Sequence, residues 1–336
     1  MKALPIVAVI LGLAVMGVLV AFSGADAVLN SLLAVGVGGF LAVCLIHLAV
    51  MALMGLAWRA LLPGVRASKV MWARLMRDSG SEALPLSQVG GYVLGVRALT
   101  LAGVPPALGA ASTIVDVTLE FVAQLFYTAL GLALFVKAQP ETQVAVPVLI
   151  GLAVAAVIAV TFILVQHRGL DYFDRLARRI GSSWIERGAA GAAALHGILA
   201  DIYRNRSGLW ISFALHLACW IASAIQVWLM LHLAGQPLSF GAVLAIESLL
   251  YAIRTASFVI PQAVGVQEGA YILLGAGFGL TPDMSLAISL LKRGRDLAIG
   301  LPAIAVWQAL EGRALWRRRA IAGRAAELPI PPTDRI

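Results

Sequence analysis

Long stretches of almost unbroken apolar residues decide what this chain can become. They cover positions 4–22, 32–58, 144–165, 210–233 and, with a charged interruption, 286–309. Each approaches or exceeds the roughly 20 residues a helix needs to cross a hydrocarbon core of about 30 Å. A helix that is apolar on all sides has no face to give to water. Composition agrees: 61% of residues are apolar and 12% charged, where soluble domains carry about 25% charged residues. The sequence therefore specifies an all-α polytopic membrane protein and excludes a soluble globular enzyme.

The first run follows Lys2, as a signal peptide would, but Ser23, Gly24 and Ala25 make only a loose cleavage site. We expect it to be retained as a span. Cys44 and Cys219 lie inside apolar runs, where cysteine behaves as a small hydrophobe, so no disulfide framework follows. The net charge of +8 would suggest nucleic acid in a soluble protein; here its placement marks orientation, because Lys and Arg accumulate in cytoplasmic loops. Basic residues gather at Arg59, Arg66, Lys69, Arg74 and Arg77, again over 168–206, and finally at Arg313, Arg317, Arg318, Arg319 and Arg324. The loops at 23–30, 138–143 and 235–237 have none. Both termini are expected in the cytoplasm.

That orientation requires 59–105 to enter and leave the membrane on the cytoplasmic side, and 237–281 to do so from outside. Both segments are apolar but interrupted by proline and glycine, at Pro85, Gly90 and Gly91 in the first and Pro261 and Gly265 in the second. Broken helices are tolerated at membrane depth where they are buried in protein or line a cavity. The expected architecture is about six full spans plus two re-entrant or broken helical hairpins. A shift of 176 residues places Pro85 on Pro261, Gly103 on Gly279, Pro106 on Pro282 and Ala111 on Ala287. Interrupted segments at matching places in two halves are the mark of a transporter repeat, and opposite entry sides make the repeats inverted.

The domain expectation is one integral membrane domain over 1–326. It comprises a first repeat at about 32–166, a cytoplasmic amphipathic insert at 167–208, a second repeat at about 209–312, and a disordered tail at 327–336 containing Pro329, Pro331 and Pro332. Phe173, Leu176, Ala177 and Ile180 form one stripe of the insert, with Arg175, Arg178 and Arg179 beside it; Leu195, Ile198, Leu199 and Ile202 form the other. The insert is expected to rest on the membrane surface against anionic lipid, with a docking surface for a partner as the alternative.

Several charges fall where the bilayer is driest. Asp116 and Glu120, four residues apart on one face, lie about 15 and 21 Å along a helix starting near Pro106. Lys292, Arg293, Arg295 and Asp296 lie at similar depth along one starting near Pro282. Such groups mark either a polar pathway or a buried ion-pair lock. The abundance of polar residues nearby, Glu247, Arg254, Gln262, Gln267 and Glu268 with Ser87, Gln88 and Arg97, favours a pathway. Helical spacing puts Lys292, Arg295 and Asp296 on an interior face and turns Arg293 away. Asp116, Glu120 and Glu268 are expected to meet that interior face in one cluster.

His47, His216 and His232 are expected to be core or interface histidines, and Gly90, Gly91 and Gly95 to allow close helix packing rather than hold a nucleotide. Metal-ligand spacing, a nucleophile elbow and a phosphate-binding loop are all missing from the sequence, so no catalytic residue, metal, cofactor or nucleic-acid partner is expected.

The segments PQAVGVQEGAY (261–271) and SLLKRGRDLAIGLP (289–302), with Pro85 in the first broken segment, resemble the membrane region of lysylphosphatidylglycerol synthetase and its stand-alone, flippase-like relatives. RLMRDSGSEALPLSQVGGYVLGVRAL (74–99) and ESLLYAIRTASFVIPQAVGVQEG (247–269) are most similar to the hopanoid-biosynthesis-associated subgroup. One departure stands out: GGY at 90–92 occupies a place where the wider family carries a Gly-Glu pair. Only a short tail follows Trp316, so the soluble aminoacyl-transferase domain of the synthetases is not expected in this chain. The resemblance implies a bacterial inner-membrane protein that transports membrane lipid, with hopanoid, hopanoid-linked or anionic lipid as cargo and hopanoid-biosynthesis proteins as partners. The rival expectations are a non-catalytic organiser of hopanoid synthesis and an intramembrane headgroup enzyme using Glu268, Asp116 or Glu120.

Overall fold

The computed structural model describes residues 25–82, 88–140, 145–180, 195–257 and 260–326. The first apolar run, Pro85, the centre of the insert and the tail lie outside the described residues. Among the described residues every regular element is helical: α1 (Ala25–Arg59), α2 (Ala67–Glu82), α3 (Gln88–Leu101), α4 (Pro106–Ala138), α5 (Ala145–Ile180), α6 (195–204), α7 (Arg206–Leu233), α8 (Phe240–Ala256), α9 (Val266–Ala276) and α10 (Pro282–Ala326). Among the described residues, four stretches are long and apolar enough to cross a membrane: Leu32–Arg59, Pro106–Ala138, Val146–Leu164 and Arg206–Leu233. Helix α10, at 45 residues, has ample length, but the charges at 292–296 interrupt its apolar run.

Two pairs of helices are shorter than the other long elements. Helices α2 and α3 have 16 and 14 residues, and α8 and α9 have 17 and 11. At 1.5 Å per residue these reach about 24, 21, 26 and 17 Å, short of a ~30 Å core. Each pair packs as a hairpin, and each long helix that follows leaves its hairpin by the same local device. Gly103 N–H bonds to the Thr100 carbonyl at 3.0 Å and Val104 N–H to the Leu99 carbonyl at 3.0 Å. In the second half Gly279 bonds to Ala276 at 3.1 Å and Leu280 to Gly275 at 3.0 Å. Both glycines have positive φ, +87° and +80°. This is the Schellman pairing, in which a left-handed residue lets the chain cap the carbonyls of the turn it leaves. Proline then opens the next helix at Pro106 and Pro282, where a missing N–H costs nothing.

The halves interlock. Helix α2 packs on α3, α1 and α10; α8 packs on α9, α7 and α4; α1 lies along α7. Each hairpin's first arm therefore rests on the long helix of the other half. Outward faces of α1 and α5 expose Leu33, Val37, Leu41, Leu45, Ile150, Val157 and Ile158, a surface suited to lipid rather than water.

The insert differs from its expected form. Helix α5 runs unbroken through Ile180, so the first stripe continues a span instead of forming a separate surface helix. The stripe of α6 is not laid on lipid either: Leu199 and Ile202 are buried in an apolar cluster with Trp58, Leu61, Val70 and Ala73. Tyr203 Oη donates to Gln166 Oε1 at 2.8 Å, and Gln166 Nε2 to Thr118 Oγ1 at 3.0 Å, tying α6 through α5 to α4. Packing against the protein removes more apolar surface from water than lying at an interface, and it wins here.

Candidate functional site

The acids of α4 do not meet the bases of α10. Arg74 and Arg77, grouped by sequence with the cytoplasmic loop residues, are instead buried on α2, with relative exposures of 3% and 4%. Arg77 Nη1 donates to Asp116 Oδ2 at 2.6 Å, and its Nη2 donates to Glu120 Oε2. Arg74 donates to Glu120 at 2.8 and 3.0 Å and to Asp78 Oδ2 at 2.7 Å. Asp116 Oδ1 meets His216 Nε2 at 2.9 Å, so this histidine is a partner of the charged cluster and not an inert core residue. The Arg77 guanidinium also sits 4.8 Å over the Tyr92 ring, a placement that adds cation–π attraction.

On α10 the pairing has the opposite sign. Asp116 lies ten residues after Pro106 and Lys292 ten after Pro282. Lys292 Nζ donates to Glu247 Oε2 at 2.7 Å and to Tyr271 Oη at 2.8 Å; Tyr271 in turn donates to Glu247 Oε1. In the first half an acid on the long helix meets bases on α2; in the second a base on the long helix meets an acid on α8. Each half supplies its buried charge with an opposite charge of its own, as the low-dielectric interior demands, and His216 of the second half adds a bond to Asp116 of the first.

Arg293, expected to turn away, donates to Glu268 at 2.7 and 3.1 Å. Glu268 also accepts from Ser289 Oγ at 2.8 Å and from Gly265 N–H at 2.7 Å. It therefore caps α9, whose first turn offers unsatisfied N–H groups, and takes no part in the α4 cluster. The break itself comprises a single 3-10 turn at Pro261–Ala263, with Gln262 and Ala263 at φ of 54° and 46° and Gly265 at 82°. The first broken segment is different. Gly90 and Gly91 lie inside α3, not at an interruption. A Cβ on Gly91 would come 2.5 Å from the Arg77 carbonyl oxygen and 2.0 Å from Ser81 Oγ. Gly91 lets α3 close on α2, and neither position breaks a helix.

Arg295 donates through Nε and Nη2 to Asp296 Oδ1 at 2.9 and 2.6 Å, and through Nη1 to Gln226 at 2.5 Å. Arg254 Nη2 bonds to Glu82 at 2.9 and 3.2 Å, joining the last turn of α2 to that of α8. Gln124 of α4 also bonds across the halves, to Thr255 Oγ1 at 2.7 Å.

Between the two hairpins lies a cavity of about 400 Å³. Four guanidinium groups, Arg74, Arg77, Arg254 and Arg295, and four carboxylates, Asp78, Glu82, Glu120 and Asp296, line it with His47, Gln124, Gln226 and Gln262. Trp220, Phe121, Tyr251, Met51 and Met54 supply apolar wall. Of the residues singled out by sequence, Glu120, Arg254, Gln262, Arg295 and Asp296 reach this cavity. Asp116, Glu268 and Lys292 stand behind it. Sequence reasoning missed Arg74, Arg77, Asp78 and Glu82. The available signal was their i, i+3, i+4 spacing on one helical face, with two buried acids on α4 in need of partners. No group of three or more His, Cys, Asp or Glu with metal-binding geometry occurs among the described residues.

Residues 9–303 match the family model described as the lysylphosphatidylglycerol synthase TM region. No curated protein and no solved structure is similar enough to this chain to match it.

Proposed function

The chain belongs to the lysylphosphatidylglycerol synthase transmembrane-region family, and on that footing we propose that it moves a lipid between leaflets of a bacterial inner membrane, with its headgroup in the central cavity and its apolar part in surrounding lipid. The observation that carries this reading is the cavity: charged, about 400 Å³, and built from both hairpins and both long helices. Its volume falls within the range of about 300–1,000 Å³ usual for small-molecule sites. A site shared by two interlocked halves, each with a short broken hairpin, is the arrangement by which repeat transporters alternate access.

The cargo proposed is a hopanoid or hopanoid-linked lipid, supported by the resemblance of 74–99 and 247–269 to the hopanoid-associated subgroup. An organiser role receives less support, since the α6 stripe on which it would depend is covered by the protein itself. The pathway and lock alternatives divide by position. Lys292–Glu247 and Arg293–Glu268 lie off the cavity and act as locks, whereas Arg74, Arg77, Glu120, Arg254 and Arg295 face it.

Lipid analysis of a deletion strain tests the proposal. Total hopanoid chemistry should be unchanged, while the share in the outer leaflet or outer membrane should change severalfold and return on complementation. A missing or novel lipid product would favour an enzyme, and an unaltered distribution would overturn the transport reading.

A further inference from the structure

The identity of a headgroup is constrained by which polar atoms in the cavity are left open once internal pairing is complete. A surplus of basic residues, as on 292–295, would suit an anion. The structure cancels that surplus, because the four lining guanidinium groups face four lining carboxylates. Three of the cations already bond through both Nη atoms. Arg295 uses Nε and both Nη atoms on Asp296 and Gln226. Arg74 uses the same three atoms on Asp78, Glu120 and Met54 Sδ, and Arg77 spends both Nη atoms on Asp116 and Glu120.

Arg254 is the exception. Both of its hydrogen bonds among the described residues come from Nη2, so Nε and Nη1 keep donors to offer, with the guanidinium steadied 5.5 Å over the Tyr251 ring. Two carboxylates are likewise half used. Asp296 accepts only at Oδ1. Asp78 accepts at Oδ2, while its Oδ1 is no closer than 4.0 Å to Arg77 Nε. These groups are also accessible: the side chains of Arg254, Asp296 and Asp78 keep 12%, 11% and 19% of their surface.

We propose that the cavity receives a dipolar headgroup carrying one anionic and one cationic group and no net charge, the anion on Arg254 and the cation against Asp78 and Asp296. The inference rests on the transport reading for its setting. A net anion would meet one open donor edge and two carboxylate faces; a net cation would leave the Nε and Nη1 donors of Arg254 without an acceptor. Desolvated groups left unmatched weaken binding, which is how a polar site rejects near-isosteres.

Calorimetric titration of the purified full-length protein in detergent tests this with four water-soluble dihexanoyl lipids. They are phosphatidylethanolamine (dipolar), phosphatidylglycerol (anionic), O-ethylphosphatidylcholine (cationic) and a glucosyl diacylglycerol (uncharged). Phosphatidylethanolamine should bind at least tenfold more tightly than each of the others, and Arg254→Gln should weaken it tenfold. Should that variant not fold, Asp78→Asn, which keeps an acceptor for Arg74, should narrow the preference for phosphatidylethanolamine over phosphatidylglycerol at least fivefold. Phosphatidylglycerol or the glucosyl lipid binding as tightly as phosphatidylethanolamine overturns the proposal, as does a folded Arg254→Gln with unchanged affinity or no binding by any probe. The transport reading fails separately: if phosphatidylethanolamine binds with the expected preference but an acyl-chain-labelled form with its amine intact is not moved in reconstituted vesicles, the site stands and translocation does not.

Discussion

Arg77 has the most to lose from a change of side chain, because its guanidinium sits between Asp116 and Glu120 with 4% exposure. Removing one partner of a buried pair leaves the other charge uncompensated, at about 3–5 kcal/mol. Arg77→Ala should therefore reduce both the amount of protein in the membrane and the thermal midpoint of the detergent-solubilised protein. The Lys292–Glu247 pair is a sharper test, since Tyr271 Oη donates to one member and accepts from the other. Lys292→Glu and Glu247→Lys should each destabilise by a similar amount. Combined, they should recover most of the midpoint and, because neither lines the cavity, most of the activity. A double variant no better than the worse single one would show that the pair is held by more than charge.

Gly91 and Gly103 serve their helices for different reasons, and substitution separates them. Gly103 and Gly279 need a left-handed backbone but have open space around a would-be Cβ, with nothing nearer than Lys69 Nζ at 4.0 Å for the first and nothing within 4 Å for the second. Alanine there meets only conformational strain, about 1–2 kcal/mol. Gly91→Ala sets a methyl group against the Arg77 carbonyl and must push α3 away from α2. It should lower the thermal midpoint more than Gly103→Ala or Gly279→Ala, and these two should match each other. Unequal effects at 103 and 279 would argue that the two turns are not equivalent parts of one repeat. The turns were legible in sequence as Gly and Pro at a constant offset of 176 residues. The packing role of Gly91 was only half legible: glycine marks both breaks and close approach, and only the neighbouring helix decides which.

Across the whole molecule, the helical class, the long apolar runs after the first, the interruption at Pro261 and the place of Asp116 and Lys292 along their long helices followed from hydropathy and proline or glycine placement. The partners of those charges did not. A loop-charge rule assigns Arg74 and Arg77 to water because they follow Arg59 and Arg66 closely in sequence. What overrides it is the return of α2 into the protein, where α1, α3 and α10 surround it. That return makes a prediction about both hairpins together. If α2–α3 and α8–α9 enter and leave on one side each, the two ends of a hairpin share a side, and the two hairpins open on opposite sides. Ser68 and Ala107 flank the first hairpin, Ser239 and Thr281 flank the second, and all four are exposed. Cysteine placed singly at each should be labelled by a membrane-impermeant maleimide from the cytoplasm at 68 and 107, and from outside at 239 and 281. Labelling of 68 and 107 from opposite sides would mean that the chain crosses the bilayer once between them, a single broken span in place of a hairpin, for which the 16 and 14 residues of α2 and α3 together exceed the roughly 20 that one crossing of ~30 Å needs.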